Sequence, residues 1–285
     1  MGERAAAAAT AAASKDGVGR WPAGDGAVVP YVEAGDPSGT PLLVVPGLTD
    51  GLGAPRGRVA VRALRAWFRD FDDRRVIVAS RRDPLRAGAS LERMADDLVT
   101  LLSGAVTHRP VDVLGTSYGG MLAQVLALRH PGTVRRLVLA STVAYVDDEL
   151  RAVLERWEAA LVSGDLRGFV RDTVEMSHTP ELPRRYRLLS PLLGLSARAT
   201  DVERYRAHTA AILRFDVRDR LAEITQRALV IGGEEDVLTT PRRMTELARG
   251  LPDAELTLLP RTGHAVAEQA KPRYDAAIRA FLARR

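Results

Sequence analysis

The stretch VDVLGTSYGGMLAQVLALRHPG, Val111 to Gly132, decides the fold of this chain. Its opening VDVL is short and mostly apolar, which is typical of a buried strand. Met121, Val125 and Leu128 then recur at the i, i+4, i+7 spacing of a helix, which Pro131-Gly132 ends. The stretch therefore predicts a strand, a sharp turn and a helix, with the serine at position 117 in the turn.

That turn has the pattern Gly-x-Ser-x-Gly, with Ser117 between Gly115 and Gly119. A strand–turn–helix of this kind holds the serine in a strained conformation with its hydroxyl exposed. Both glycines are needed because a Cβ at either position would collide with the neighbouring helix and strand. Ser117 is therefore the candidate nucleophile, and the helix beginning at Tyr118 directs its free amides toward a developing oxyanion.

Strand-like and helix-like segments alternate on both sides of this stretch. Continuous apolar strands between helices predict an α/β fold with a mostly parallel, doubly wound sheet covered on both faces. The predicted strands are 27–35 (an edge strand or hairpin), 41–47, 75–80, 111–115, 135–141, 227–233 and 254–260, and the main helices are 61–71, 90–104, 118–130, 241–251 and 272–284.

The alternation stops between residues 147 and 222, where helical runs occur without a convincing strand. We interpret this segment as a helical lid inserted into a core formed by residues 21–146 and 223–285. Residues 1–20 are alanine-rich and of low complexity, and are expected to form a disordered tail.

A serine hydroxyl needs a histidine base and an acid that orients the base. His264 leaves the last predicted strand, and Asp236 follows the strand at 227–231, with Glu234 and Glu235 as adjacent rivals. The order Ser, Asp, His is the one expected for this architecture. The other histidines are expected to face solvent or, for one of them, to end a helix: His108, His178, His208 and His130.

An oxyanion hole requires two preorganised amides. One is expected to be the N–H of Tyr118, and the other the N–H of Leu48 in the loop after strand 41–47. That loop is glycine-rich, but Arg56 stands where the third glycine of a dinucleotide fingerprint belongs, and no Gly-Lys-Ser/Thr follows. A nucleotide site is therefore rejected.

The composition of the chain excludes several of the remaining classes of function. The chain has 285 residues, 46% of them hydrophobic, and its 41 basic and 36 acidic residues are interspersed. This dispersed charge, without a recognition motif, argues against nucleic-acid binding. There is no cysteine and no long apolar run. A cytoplasmic monomer or homodimer without cofactor, metal or membrane association is expected, with a small acyl compound as its partner.

The segments GTSYGG, GEEDVLTTP and GHAV, taken together, resemble the α/β-hydrolase superfamily in its lidded esterase and lactonase branch. The resemblance implies Ser117 as nucleophile, Asp236 as acid and His264 as base, with Leu48 and Tyr118 as oxyanion donors. One departure is Pro46-Gly47, where many relatives have His-Gly to brace the oxyanion loop. A serine nucleophile argues against the dehalogenase and epoxide hydrolase branches, which use aspartate.

The expected activity is hydrolysis of a small carboxylic ester or lactone through an acyl-enzyme on Ser117. Aromatic and apolar side chains of the lid could line the pocket, although such residues at helical spacing often form the core of the lid instead. The predicted pocket residues are Thr49, Trp157, Phe169, Met176, Tyr205, Phe215, Val237 and Val266.

Several alternatives use the same three residues or the same fold. Hydrolysis of a carbon–carbon bond and cofactor-free perhydrolysis need no change in the triad. An aminopeptidase would need lid carboxylates that face the pocket, for which the candidates are Glu149, Glu155, Asp165 and Glu181. The fold also serves non-catalytic small-molecule binders, which have no need of an intact triad.

Overall fold

Eight strands pair into one sheet in the computed structural model, which describes residues 18–48, 57–179 and 202–284. The order across the sheet is β1-β2-β4-β3-β5-β6-β7-β8; β2 is antiparallel to β1 and β4, and β3 to β8 run parallel. The predicted α/β fold with a mostly parallel sheet is therefore confirmed. The strands are β1 (Gly19–Pro22), β2 (Val28–Gly35), β3 (Thr40–Val45), β4 (Arg74–Ala79), β5 (Val111–Thr116), β6 (Val134–Ala140), β7 (Arg227–Gly233) and β8 (Ala254–Leu259).

Helices cover both faces of the sheet, as the continuous apolar strands require. Leu91, Met94, Leu98 and Leu101 form the buried stripe of α2 on one face, where α3 and α7 also pack. The other face is covered by α9 together with Phe68 and Phe71. The α-helices of the described residues are α1 (Gly57–Trp67), α2 (Leu91–Leu101), α3 (Tyr118–Arg129), α4 (Asp148–Val162), α5 (Leu166–Ser177), α6 (Val202–Ile212), α7 (Pro241–Gly250), α8 (Val266–Gln269) and α9 (Lys271–Ala283).

The antiparallel end of the sheet differs from the sequence prediction in one respect. β1 begins at Gly19, so the last residues of the segment 1–20, predicted as a tail, belong to the sheet. Of the two alternatives predicted for segment 27–35, an edge strand or a hairpin, the hairpin is found: β2 is its inner arm, and β1 is the edge of the sheet. Alternation of apolar side chains could not reveal β1, because only one of its four residues is buried.

The chain leaves the sheet after β6 and returns at β7, and α4, α5 and α6 lie between these strands. The two connections run side by side: the Val146 amide donates to the Phe215 carbonyl at 3.2 Å, and the Val217 amide donates to the Ala144 carbonyl at 2.9 Å. Within the described parts of 147–222 no strand is found. The boundaries of the lid and its separate role stay a prediction.

The helices of the described residues do not include one with the length and apolar character needed to cross a membrane.

Candidate active site

Ser117 lies at the sharp turn between β5 and α3. Its backbone has φ +52° and ψ −120°, which is unusual for a residue with a side chain. Hydrogen bonds to the end of β6 hold this conformation: the Ser117 amide donates to the Ala140 carbonyl at 2.7 Å, and Thr142 Oγ1 donates to the Ser117 carbonyl at 2.8 Å. The strained turn is thus anchored by the adjacent strand and the residues that follow it.

The two glycines of the turn are required by close backbone contacts. A Cβ on Gly115 would overlap the Gly119 carbonyl oxygen, and a Cβ on Gly119 would overlap the carbonyl oxygens of Val45 and Pro46. These obstacles are backbone atoms, which cannot move aside by a change of rotamer. The glycines therefore allow β5, α3 and the loop after β3 to meet beside Ser117.

Ser117, His264 and Asp236 form one hydrogen-bonded chain. Ser117 Oγ lies 2.9 Å from His264 Nε2, and His264 Nδ1 lies 2.9 Å from Asp236 Oδ2. The three residues come from the carboxyl ends of β5, β8 and β7, where a parallel sheet binds its ligands. The rivals Glu234 and Glu235 are exposed, and it is Asp236 that contacts the imidazole.

Asp236 is buried, and both oxygens of its carboxylate accept hydrogen bonds. Oδ1 accepts the amides of Leu238 and Thr239 at 2.8 Å each, and Oδ2 accepts Thr239 Oγ1 at 2.6 Å in addition to the imidazole. Burial alone would raise the pKa of Asp236, but His264 and these hydrogen bonds hold the pKa below its ordinary value. The carboxylate is therefore ionised at neutral pH and oriented toward His264 Nδ1.

The loop of His264 is fixed on both sides of the imidazole. Ser141 Oγ donates to the His264 carbonyl at 2.9 Å, and the Gly263 amide donates to Gln269 Oε1 at 2.9 Å. The Ala265 amide donates to the Ser177 carbonyl of α5 at 2.8 Å. Helix α5 thus contacts the loop that carries His264.

Leu48 and Tyr118 flank Ser117 from two elements. Tyr118 is the first residue of α3, so its amide lies at the N-terminus of that helix. A Cβ on Gly47 would lie 3.5 Å from Ser117 Cβ, which shows that the loop after β3 passes beside the serine. Both predicted oxyanion donors are therefore adjacent to the serine, as residues of the same cleft.

The cleft above Ser117 contains about 380 Å³ of empty space, part of it open to solvent. Apart from Ser117, Thr239 and His264, the lining side chains are Leu48, Tyr118, Met121, Leu150, Leu154, Trp157, Ile212 and Leu238. The lining of the cleft is thus mostly apolar around a polar centre.

The family model described as the alpha/beta hydrolase fold matches residues 40–270 of this sequence. The chain belongs to this family. The match includes the residues of all three members of the hydrogen-bonded chain and of the loop after β3.

The curated relatives of this α/β-hydrolase have low sequence identity to it, but the aligned regions cover more than half of each chain. A protein of Azorhizobium caulinodans named as the carbamate hydrolase RutD is 26% identical over 259 residues, which cover 83% of this chain and 92% of the relative. A pimeloyl-[acyl-carrier protein] methyl ester esterase of Nitrosospira multiformis is 29% identical over 188 residues, covering 57% and 67%. Among solved structures, the enol-lactonase from Burkholderia xenovorans LB400 superposes with a TM-score of 0.77 at 20% identity, covering 91% and 98%.

Most of the predicted pocket residues of this α/β-hydrolase do not line the cleft. Trp157 does so, whereas Phe169, Tyr205 and Phe215 are buried in the hydrophobic core, with ring centroids of Phe169 and Tyr205 5.7 Å apart. The alternative interpretation, that these aromatic residues form the core, is therefore correct. Met176 is half-buried against the same core.

The remaining pocket predictions fail because of local geometry. Val237 points outward and is 56% exposed, while the next two residues, Leu238 and Thr239, line the cleft. Val266 is buried on the opposite face of the sheet, against α9. Thr49 lies outside the described residues.

Sequence reasoning predicted Trp157 but missed the other residues of the apolar stripe of α4, Leu150 and Leu154. Leu150, Leu154 and Trp157 recur at i, i+4 and i+7 and all contact the cleft. This spacing was available as a signal, but periodicity alone does not tell which helix face lies over the active site. Met121, one turn after Ser117, was missed for the same reason.

Two histidines expected to face solvent are not exposed. His208 is completely buried, with Nδ1 3.2 Å from Tyr118 Oη, and His178 Nε2 lies 3.2 Å from Glu268 Oε2 with little exposure. His130 ends α3 as predicted and contacts Asp96, and His108 is exposed. Within the described residues, the His, Asp and Glu side chains do not form a group of three that could hold a metal ion.

Proposed function

We propose that this protein is a serine hydrolase that cleaves a small carboxylic ester or lactone through an acyl-enzyme on Ser117. The observation that carries the proposal is the continuous hydrogen bonding from Ser117 Oγ through His264 to Asp236, with 2.9 Å at each step. The names of the relatives, a carbamate hydrolase and a methyl ester esterase, support hydrolysis of an acyl bond.

In the proposed mechanism, His264 Nε2 accepts the Ser117 proton while Oγ attacks the acyl carbonyl. The amides of Leu48 and Tyr118 stabilise the oxyanion that forms. Protonated His264 then gives its proton to the leaving alkoxide, so that the alcohol departs. Water, deprotonated by His264, hydrolyses the acyl-enzyme and regenerates the serine. Asp236 keeps the imidazole in the tautomer that presents an unprotonated Nε2 to the serine.

The lining of the cleft supports a short, uncharged acyl group. Leu150, Leu154, Trp157 and Ile212 offer apolar contact but no ionic partner. The aminopeptidase alternative receives no support from the lid carboxylates. Glu149 pairs with Arg243, Glu155 is exposed, Asp165 caps α5, and Glu181 lies outside the described residues.

Replacement of Ser117 tests the proposal. In Ser117→Ala we expect kcat toward short p-nitrophenyl esters and lactones to fall by at least about 10⁴-fold, because the nucleophile is lost. A fluorophosphonate probe should label the wild-type protein at Ser117 and leave the variant unlabelled. Ser163→Ala, which removes an exposed hydroxyl at the end of α4, serves as the control.

Turnover in Ser117→Ala within tenfold of wild type would overturn the assignment of the nucleophile. An absence of labelling in the wild-type protein would favour a non-catalytic binder. Parallel assays with carbamates, aminoacyl anilides and diketones distinguish the ester and lactone class from the other acyl and carbon–carbon substrates.

A further inference from the structure

Arg81 is a buried arginine two residues beyond the end of β4. It is 2% exposed, although most arginines lie at protein surfaces. Its side chain extends beneath the loop that follows β3, the neighbouring strand in the sheet. Arg81 is thus in contact with the loop that carries Leu48, and it is not one of the residues that line the cleft.

The guanidinium contacts the backbone of the loop through two carbonyls. Nη2 donates to the Pro46 carbonyl, and Nη1 donates to the Gly47 carbonyl at 3.3 Å. Pro46 itself has neither a backbone N–H nor a polar side chain with which to brace the loop. The two hydrogen bonds from Arg81 supply that anchoring.

The Gly47 carbonyl and the Leu48 N–H belong to the same peptide group. In a trans peptide the C=O and N–H bonds point in opposite directions, and this peptide is not among the cis bonds of the described chain. Holding the Gly47 carbonyl therefore directs the Leu48 N–H away from Arg81, and Leu48 is a residue of the cleft. A cation on the carbonyl also polarises the peptide and makes its N–H a stronger donor.

The same guanidinium contacts the residue that carries the other oxyanion amide. The centre of the Arg81 guanidinium lies 4.5 Å from the centroid of the Tyr118 ring. Such a cation–π contact stabilises both groups when they are buried. One side chain thus joins the loop of Leu48 to the first residue of α3.

Helix α6 supports this arrangement from the lid side. Arg204 donates to the carbonyls of Arg81 and Arg82, at 3.3 and 2.7 Å, and His208 lies against Tyr118 Oη. Burial, with the nearby charges of Arg81 and Arg204, keeps the pKa of His208 well below its ordinary value. His208 is therefore neutral and adds no further positive charge beside Arg81.

We propose that Arg81 is a positioning residue for the oxyanion hole: it orients and polarises the peptide whose N–H, at Leu48, receives the oxyanion. The inference rests on the proposed serine hydrolase function. It assigns to Arg81 no contact with substrate, so its loss should affect the reaction after binding rather than binding itself.

The test compares Arg81→Lys and Arg81→Met with wild type, and Arg82→Met is the matched control. Arg82 is also largely buried at the end of β4, but it pairs with Asp97 and Asp25 instead of the loop. We expect kcat for a short p-nitrophenyl ester to fall by about 10- to 100-fold in both Arg81 variants, with KM changed less than threefold. The rate constant for fluorophosphonate labelling of Ser117 should fall in parallel, since that reaction also develops charge on an oxygen. Arg82→Met should retain both rates.

A folded Arg81→Lys variant with wild-type kcat and labelling rate would overturn the inference and leave the proposed function intact. If wild type is labelled but hydrolyses none of the esters, the substrate proposal fails and the labelling rates still test Arg81. An unlabelled wild type overturns both.

If the variants do not fold, ¹⁵N NMR of the wild-type guanidinium groups tests the inference instead. Labelling of Ser117 should shift the Arg81 signals and leave those of Arg82 unchanged, and unshifted Arg81 signals would contradict the inference.

Discussion

Asp236 accepts four hydrogen bonds on its two oxygens, and they divide into two groups. Oδ1 is bound by the backbone of its own turn, while Oδ2 faces His264 and the Thr239 hydroxyl. The first group fixes the side chain, and the second transmits that orientation to the imidazole. At the residue scale, Asp236 therefore stabilises its own turn and also contacts a residue distant in the sequence.

Asp236→Asn is expected to lower kcat by about 10⁴-fold while the protein still folds. The amide oxygen can replace Oδ1 in the turn, but the NH₂ group would donate to His264 Nδ1. The proton would then lie on Nε2, where the imidazole cannot accept the Ser117 proton. Steady-state kinetics and urea unfolding check both parts. The control Glu235→Gln removes an exposed carboxylate next door, and equal losses in the two variants would contradict the role of Asp236.

Helix α4 is attached to the turn that follows Asp236 by one buried arginine. Arg243 of α7 is 2% exposed; its Nη1 donates to the Leu238 carbonyl at 2.9 Å, and its Nη2 contacts Glu149 at 2.6 Å and also Asp147. Asp147 in turn caps α4 by accepting the Leu150 amide at 3.0 Å. At the element scale, this arginine fixes the helix whose apolar stripe lines the cleft.

We expect Arg243→Met to lower the free energy of unfolding by about 2 kcal/mol, since hydrogen bonds to charged groups are lost. KM for the ester should rise several-fold, because Leu150, Leu154 and Trp157 lose their fixed position over the cleft. Urea unfolding and steady-state kinetics measure these effects. Arg242→Met removes an exposed pair with Glu246 on the same helix and should cost less than about 0.5 kcal/mol. Equal effects of the two substitutions would show that α4 does not depend on Arg243.

At the scale of the whole molecule, the sheet and the inserted helices are joined through a buried polar cluster. His208 on α6 faces Tyr118 on α3, with Arg81 and Arg204 as the charged groups beside it. Because the pKa of His208 is well below 6.5 in the folded protein, the unfolded chain binds a proton there that the native state excludes. Stability contributed by this histidine is therefore present above about pH 6.5 and is lost as the pH falls below it.

The free energy of unfolding of wild type should consequently fall more steeply than that of His208→Gln between pH 6.5 and 5.5. The difference in slope should reach up to about 1.4 kcal/mol per pH unit. Urea titrations at several pH values measure it. His178 acts in the opposite direction: burial would lower its pKa, but the hydrogen bond to Glu268 raises it above the ordinary value. Since both proteins retain His178, its effect cancels, and parallel slopes would contradict the prediction.

The sequence alone determined those features of the structure that depend on residues close to one another in the chain. Alternating strand and helix periods specify the α/β fold, and two glycines around Ser117 specify its turn, because these signals act over a few positions of the backbone. The candidates for acid and base followed from their places after β7 and β8.

Only the tertiary structure decided which side chains meet across long separations in the sequence. The orientation of α4 chose the lining of the cleft, burial of His208 removed it from solvent, and Arg81 reached Gly47 across 34 residues. Such contacts leave no periodic signal, because they depend on how whole elements pack rather than on local spacing.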